Sequence, residues 1–116
     1  MFSKNNKRPT TPEQPSQAPP SIISSDLNIV GDLHSAGEIQ IDGTVNGDIR
    51  THALVIGETA TVKGEIVADA IRVLGTVNGQ IKAKVVKLAA SARVVGDILH
   101  EDLSIETGAF LEGHCK

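Results

Sequence analysis

The sequence predicts an all-β chain: a single-stranded parallel β-helix of about six rungs, preceded by a disordered tail. Three observations carry this. A five-residue motif (apolar, any, Gly, polar, apolar) occurs six times, with starts 16, 17, 15, 17 and 17 residues apart. That spacing is too regular for chance and too short for a helix-containing repeat. A second, shorter apolar motif recurs between the copies. Finally, all five prolines lie within the first 20 residues, and all eleven glycines lie at Gly31 or later.

The copies are 29–33, 45–49, 62–66, 77–81, 94–98 and 111–115, beginning at Ile29, Val45, Val62, Val77, Val94 and Leu111. Residues i, i+2 and i+4 of a strand share a face. Val45, Gly47 and Ile49 are therefore expected to point inward, and Asn46 and Asp48 outward. The structural glycines Gly31, Gly47, Gly64, Gly79, Gly96 and Gly113 mark a place with no room for a side chain, where the chain bends or another wall comes close.

The second repeat consists of Ile39-Gln40-Ile41, Leu54-Val55-Ile56, Ile71-Arg72-Val73, Val86-Lys87-Leu88 and Leu103-Ser104-Ile105. Four residues separate it from the preceding motif, except in the first rung, where five intervene (34–38). The return to the next motif takes three residues (42–44, 74–76) or five (57–61, 89–93, 106–110). Because three and five differ by two, the alternation stays in phase if the extra pair is extended. The longer returns carry Ala60, Ala92 and Ala109 two residues before the next motif. This spacing turns the alanines inward and predicts a third short wall. Six rungs about 4.8 Å apart make a rod about 28 Å long.

Composition divides the chain into a Pro-rich basic tail, residues 1–21, and a β-helix domain, residues 22–116. The tail holds Lys4, Lys7 and Arg8 against Glu13, a net of +2, and the remainder sums to 8 − 13 = −5. The tail has almost nothing with which to form a core. About 95 residues would make a marginal globular core, whereas a solenoid accumulates stability rung by rung. No run of 18 apolar residues is present and no apolar segment follows Met1, so neither a membrane span nor a secretory signal is expected. The single cysteine, Cys115, excludes an internal disulfide framework, and a cytoplasmic location is the default.

The ends of such a rod matter more than its sides. Unpaired backbone groups at the first and last rungs are normally covered by capping elements, and no cap is visible before Ile22 or after the sixth motif. Phe110 is the domain's only aromatic and shares its rung position with the outward Thr61 and Arg93. It reads either as a contact surface or as a lid folded over the last rung. The expected polymer interface is Phe110 and Leu111 at one end, with Ile22, Ile23 and Leu27 at the other.

Other chemistry is weakly signalled. Asp32, Asp48, Glu65 and Asp97, with Gln80 among them, form an outward column of acids, expected to be a solvated face relieved by cations such as Lys63. His34, His52, His100 and His114 beside Cys115 lack metal-ligand spacing, so neither a metal nor a cofactor is expected. Cys115 takes an inward position. No nucleophile elbow, phosphate loop or zinc-protease pattern appears. An acidic domain without stacking aromatics argues against nucleic-acid binding. Two alternatives remain. One is a hexapeptide-repeat acyltransferase, suggested by Ile56, Val62 and Ala68 six apart but opposed by returns of three and five that lose that phase. The other is a non-polymerising display rod, with Arg72 and Lys87 outward on the second wall.

The motif copies, the intervening apolar pairs, the Gly57-to-Val62 corner and the run Glu106 to Cys115 together resemble the bactofilin family over Ile22 to Lys116. The resemblance implies a right-handed β-helix and a non-enzymatic scaffold that polymerises without nucleotide into non-polar filaments. It further implies attachment to the inner face of the cytoplasmic membrane, and cell-wall-synthesis or morphogenetic proteins as partners. Many members also carry a disordered C-terminal tail that this sequence lacks. Met1, Phe2, Lys4, Lys7 and Arg8 are similar to the family's membrane-targeting tails. Phe2 would insert while the cations meet anionic lipid, at up to about 1 kcal/mol per cation, and a filament would multiply that weak contact.

Overall fold

A computed structural model describes residues 19–114. The tail's candidate residues Met1, Phe2, Lys4, Lys7 and Arg8, together with Cys115, lie outside this range. Fourteen strands, all paired in parallel, wind into a solenoid: β1 (Ser21–Ile23), β2 (Asn28–Val30), β3 (Leu33–His34), β4 (Glu38–Ile41), β5 (Thr44–Asn46), β6 (Ile49–Ile56), β7 (Thr61–Lys63), β8 (Ile66–Val73), β9 (Thr76–Asn78), β10 (Ile81–Leu88), β11 (Arg93–Val95), β12 (Ile98–Leu99), β13 (Asp102–Ile105) and β14 (Phe110–Glu112). One sheet stacks β2, β5, β7, β9, β11 and β14; the other stacks β1, β4, β6, β8, β10 and β12, with β3 on β6 and β13 on β10. The six motif copies close five turns.

Like lies on like along every wall. Val45 is in register with Val62 and Val62 with Val77, and Ile49 with Ile66 and Ile66 with Ile81. These side chains, with Ile56, Val73, Leu88 and Ile98, form one fully buried apolar column system. Stacked β-branched residues suit this pleated geometry, and burial of each stabilises by about 1.5–3 kcal/mol.

The motif itself is a corner and not one straight strand. β5 ends at Asn46 and β6 begins at Ile49, with Gly47 between them at φ +154°. Val45 and Ile49 both enter the core as expected, but from different sheets. A Cβ on Gly47 would sit 2.0 Å from the Gly31 carbonyl oxygen, and the same collision recurs at Gly64, Gly79, Gly96 and Gly113, each against the glycine one rung earlier. Backbone pressed on backbone is therefore why the position admits no side chain.

The third wall is also placed differently from the expectation. In β6 the core residues are Ile49 and Thr51, then Leu54 and Ile56, so the alternation slips at His52 and Ala53 and the strand folds over an edge there. The ladder skips the same place, pairing Thr51 with Ala68 and Ala53 with Ala70. The four-residue spacer thus supplies the extra wall, while the long returns are tight turns closed by bonds such as Ala60 N–H to Gly57 O at 3.0 Å. Ala60 and Ala92 are buried because those turns tuck them beneath the core. In the first turn, the additional spacer residue is absorbed at this edge, where Ser35 Oγ accepts from Gly37 N–H and Thr51 Oγ1 donates to Gly37 O at 2.7 Å.

Gly31 and Gly64 separate the two causes of the glycine requirement. Both have φ near +140°, but Gly31 has open space where a Cβ would go. Gly31→Ala should cost only the backbone strain, about 1–3 kcal/mol. Gly64→Ala must also displace the stacked rung, and is expected to lower the thermal midpoint substantially further when the two variants are melted side by side.

Candidate polymer interface and charged faces

The first and last turns consist of core residues that lack their next rung. Ile105 occupies the inward position that Ile41, Ile56, Val73 and Leu88 fill at no more than 1% exposure, yet it is 48% exposed. At the opposite end, Leu27 takes the inward turn position of Ala60 and Ala92 and is 46% exposed. The cause is the same at both ends. β1 and β2 have no strand beneath them, and β13 and β14 none above them, among the described residues.

The other expected interface residues fall in distinct places. Phe110 lies outward on β14, in register with Arg93, whose guanidinium sits 5.1 Å from the ring centroid. A cation–π contact of this kind holds the ring along the outer face, not across the open end as a lid would lie. Leu111 points inward and packs on the core while remaining partly exposed. Ile22 is outward and exposed beside Gln40, whereas Ile23, at 7% exposure, is part of the core. Sequence reasoning did not single out Val30 and Ile105, which extend the exposed apolar surface at the two ends. Ile105 was recognisable as an inward residue in the last copy of its repeat. His100, weighed in the sequence only together with the other histidines, directly follows β12, and its Nδ1 is buried without a hydrogen-bond partner.

The acidic column is solvent-exposed at Asp32, Asp48 and Asp97, as expected, and two of its carboxylates also serve the backbone. Asp48 N–H donates to Asp32 Oδ1, and Glu65 N–H to Asp48 Oδ1, each at 3.1 Å, so carboxylates satisfy the amides of successive corners. Glu65 pairs with Lys82 at 3.5 Å, not with Lys63, and Asp97 lies 3.5 Å from His114. His52 and Asp69 join at 2.7 Å across neighbouring edges. Among the described residues, no three His, Cys, Asp or Glu side chains converge as a metal site, and no helix is long and apolar enough to cross a membrane.

A continuous parallel stack in which, among the described residues, apolar side chains are exposed at both ends defines the chain as a β-solenoid. The family model for bactofilin, described as polymer-forming cytoskeletal, matches residues 21–116. The chain belongs to the bactofilin family. It is 46% identical to the cytoskeletal bactofilin BacA, whose atomic structure was revealed by solid-state NMR, with a TM-score of 0.78 over 84% of this chain and 94% of that one. It is 29% identical to the Thermus thermophilus bactofilin reconstructed by cryo-EM as double helical filaments, with a TM-score of 0.75 over 83% of this chain and 97% of that one. No curated protein matches the chain.

Asp48→Ala removes the acceptor for Glu65 N–H and should cost about 1 kcal/mol in urea unfolding. Glu58→Ala, on an exposed turn, serves as the control and should change stability by no more than about 0.5 kcal/mol.

Proposed function

We propose that this chain is a cytoskeletal scaffold subunit that stacks end to end into non-polar filaments without nucleotide. Its tail holds the filaments on the inner face of the cytoplasmic membrane, where they position cell-wall-synthesis or morphogenetic proteins. The observation that carries this is the exposure of Ile105 and Leu27 at positions that every inner rung buries. Adding a rung from a second subunit would cover them and pair the open backbone edges. Membership of a polymer-forming family supports the same reading. The bactofilin from Thermus thermophilus forms double helical filaments, and sideways pairing of filaments is extended to this chain on that likeness.

Phe110 and Leu111 form the C-terminal junction in this account, and Ile22, Ile23 and Leu27 form a separate junction at the opposite end, so that successive subunits face in opposite directions. Phe110→Arg would place two guanidinium groups at adjacent register positions on the outer face. Negative-stain microscopy without nucleotide should show filaments for the wild type and small particles for a variant that keeps its β circular dichroism. Filaments in both would move the junction away from Phe110, and particles in both would remove the scaffold reading.

Attachment rests on Met1, Phe2, Lys4, Lys7 and Arg8. Filaments of the full chain should pellet with anionic phospholipid vesicles, and removal of residues 2–8 should abolish pelleting while leaving filaments intact. Equal binding by both would exclude the tail as the anchor.

A further inference from the structure

The charges of the rod are sorted along its axis. Between Asp69 and Asp97 lie five cations, Arg72, Lys82, Lys84, Lys87 and Arg93, and no carboxylate. Residues 19–69 carry eight carboxylates against Arg50 and Lys63, and residues 97–114 carry five carboxylates with no Lys or Arg. The five cations are all exposed and are spread around the coil. Arg93 stands on β11, Lys82 and Lys84 lie before and at the edge of β10, and Arg72 and Lys87 are in register on the wall beyond it. Among the described residues, Arg72, Lys84 and Lys87 make no ion pair within the subunit, whereas Lys82 reaches Glu65. The subunit is thus a negative rod girdled by a positive ring.

Stacked subunits repeat that pattern along the filament. Two filaments aligned with ring opposite ring repel, whereas an axial offset sets the ring of one against an acidic stretch of the other. We propose that filaments of this chain associate sideways with such an offset, the Arg72–Lys87 ring of one filament meeting the acidic end rungs of its neighbour. This rests on the end-to-end filament reading and adds the surface and the partner: a second copy of the same chain. One exposed ion pair contributes little by itself, but the contact recurs at every subunit and its avidity grows with filament length. Because the pairs are exposed, screening weakens them once the Debye length falls to a few ångströms. The apolar end junction lacks that sensitivity.

The test is electron microscopy of the full chain at about 50 mM and about 500 mM salt, a range over which screening changes sharply. It compares the wild type, Arg72→Glu/Lys87→Glu, and Arg50→Glu/Lys63→Glu, which makes the same change in net charge outside the ring. The wild type should form paired or bundled filaments at low salt and single filaments at high salt. The ring variant should form single filaments at both, and the control should stay paired at low salt. Single wild-type filaments at low salt, pairing that persists or strengthens with salt, or identical loss in both variants would overturn the proposal. Single wild-type filaments that bind polyglutamate through the ring would assign the surface to an acidic partner instead. Absence of any wild-type filament would overturn the underlying end-to-end reading, an outcome distinct from loss of pairing.

Discussion

The stacking of corner glycine on corner glycine is the constraint on which the structure depends. Each of Gly47, Gly64, Gly79, Gly96 and Gly113 presses on the carbonyl of the glycine one rung earlier, leaving no space for a Cβ. That contact holds the corners in line, and aligned corners bring Val45, Val62 and Val77 onto one column and Ile49, Ile66 and Ile81 onto another. Variation is tolerated only where it does not disturb the column, in the turns between 57 and 61 or the edge near Ser35. Gly43 and Gly75 belong to the same logic, since a Cβ on either would strike a turn carbonyl of the rung before it.

The same interaction explains why the ends are exposed. A rung is stabilised by the rung on each side, so the first and last are each left with one uncovered face. Leu27 and Ile105 are ordinary core residues in all but their lack of cover. Phe110 differs from them, because it lies outside the column against Arg93, where it can broaden a junction without entering the core. Charge is arranged separately from this apolar axis: carboxylates tie corner amides together at Asp32 and Asp48, and cations gather between Arg72 and Arg93.

Much of this was legible in the sequence because the period is written in residues of opposite character. The six glycine-centred copies and the spacer, four residues long in every rung but the first, revealed the coil, its parallel stacking and its core residues. Two features were misplaced. Alternation assumes a straight strand, so it could not show that Gly47 turns the chain from one sheet to the other, or that the phase slips at His52. The inward alanines of the long returns were correctly located, yet a turn hides a small side chain as well as a strand does. At the ends, Phe110 stood out as the lone aromatic, while Ile105 looked like every other core isoleucine until the missing rung exposed it. Ile23, chosen for its position near the end, is covered by its neighbours.

Amide hydrogen exchange on assembled filaments tests most directly whether the ladder continues from subunit to subunit. If rung stacking crosses the junction, amides of β13 and β14, and of β1 and β2, should become protected on assembly to a degree approaching that of β8 and β10. If filaments form while those terminal strands exchange as fast as in the isolated subunit, the junction lies elsewhere and the account is contradicted.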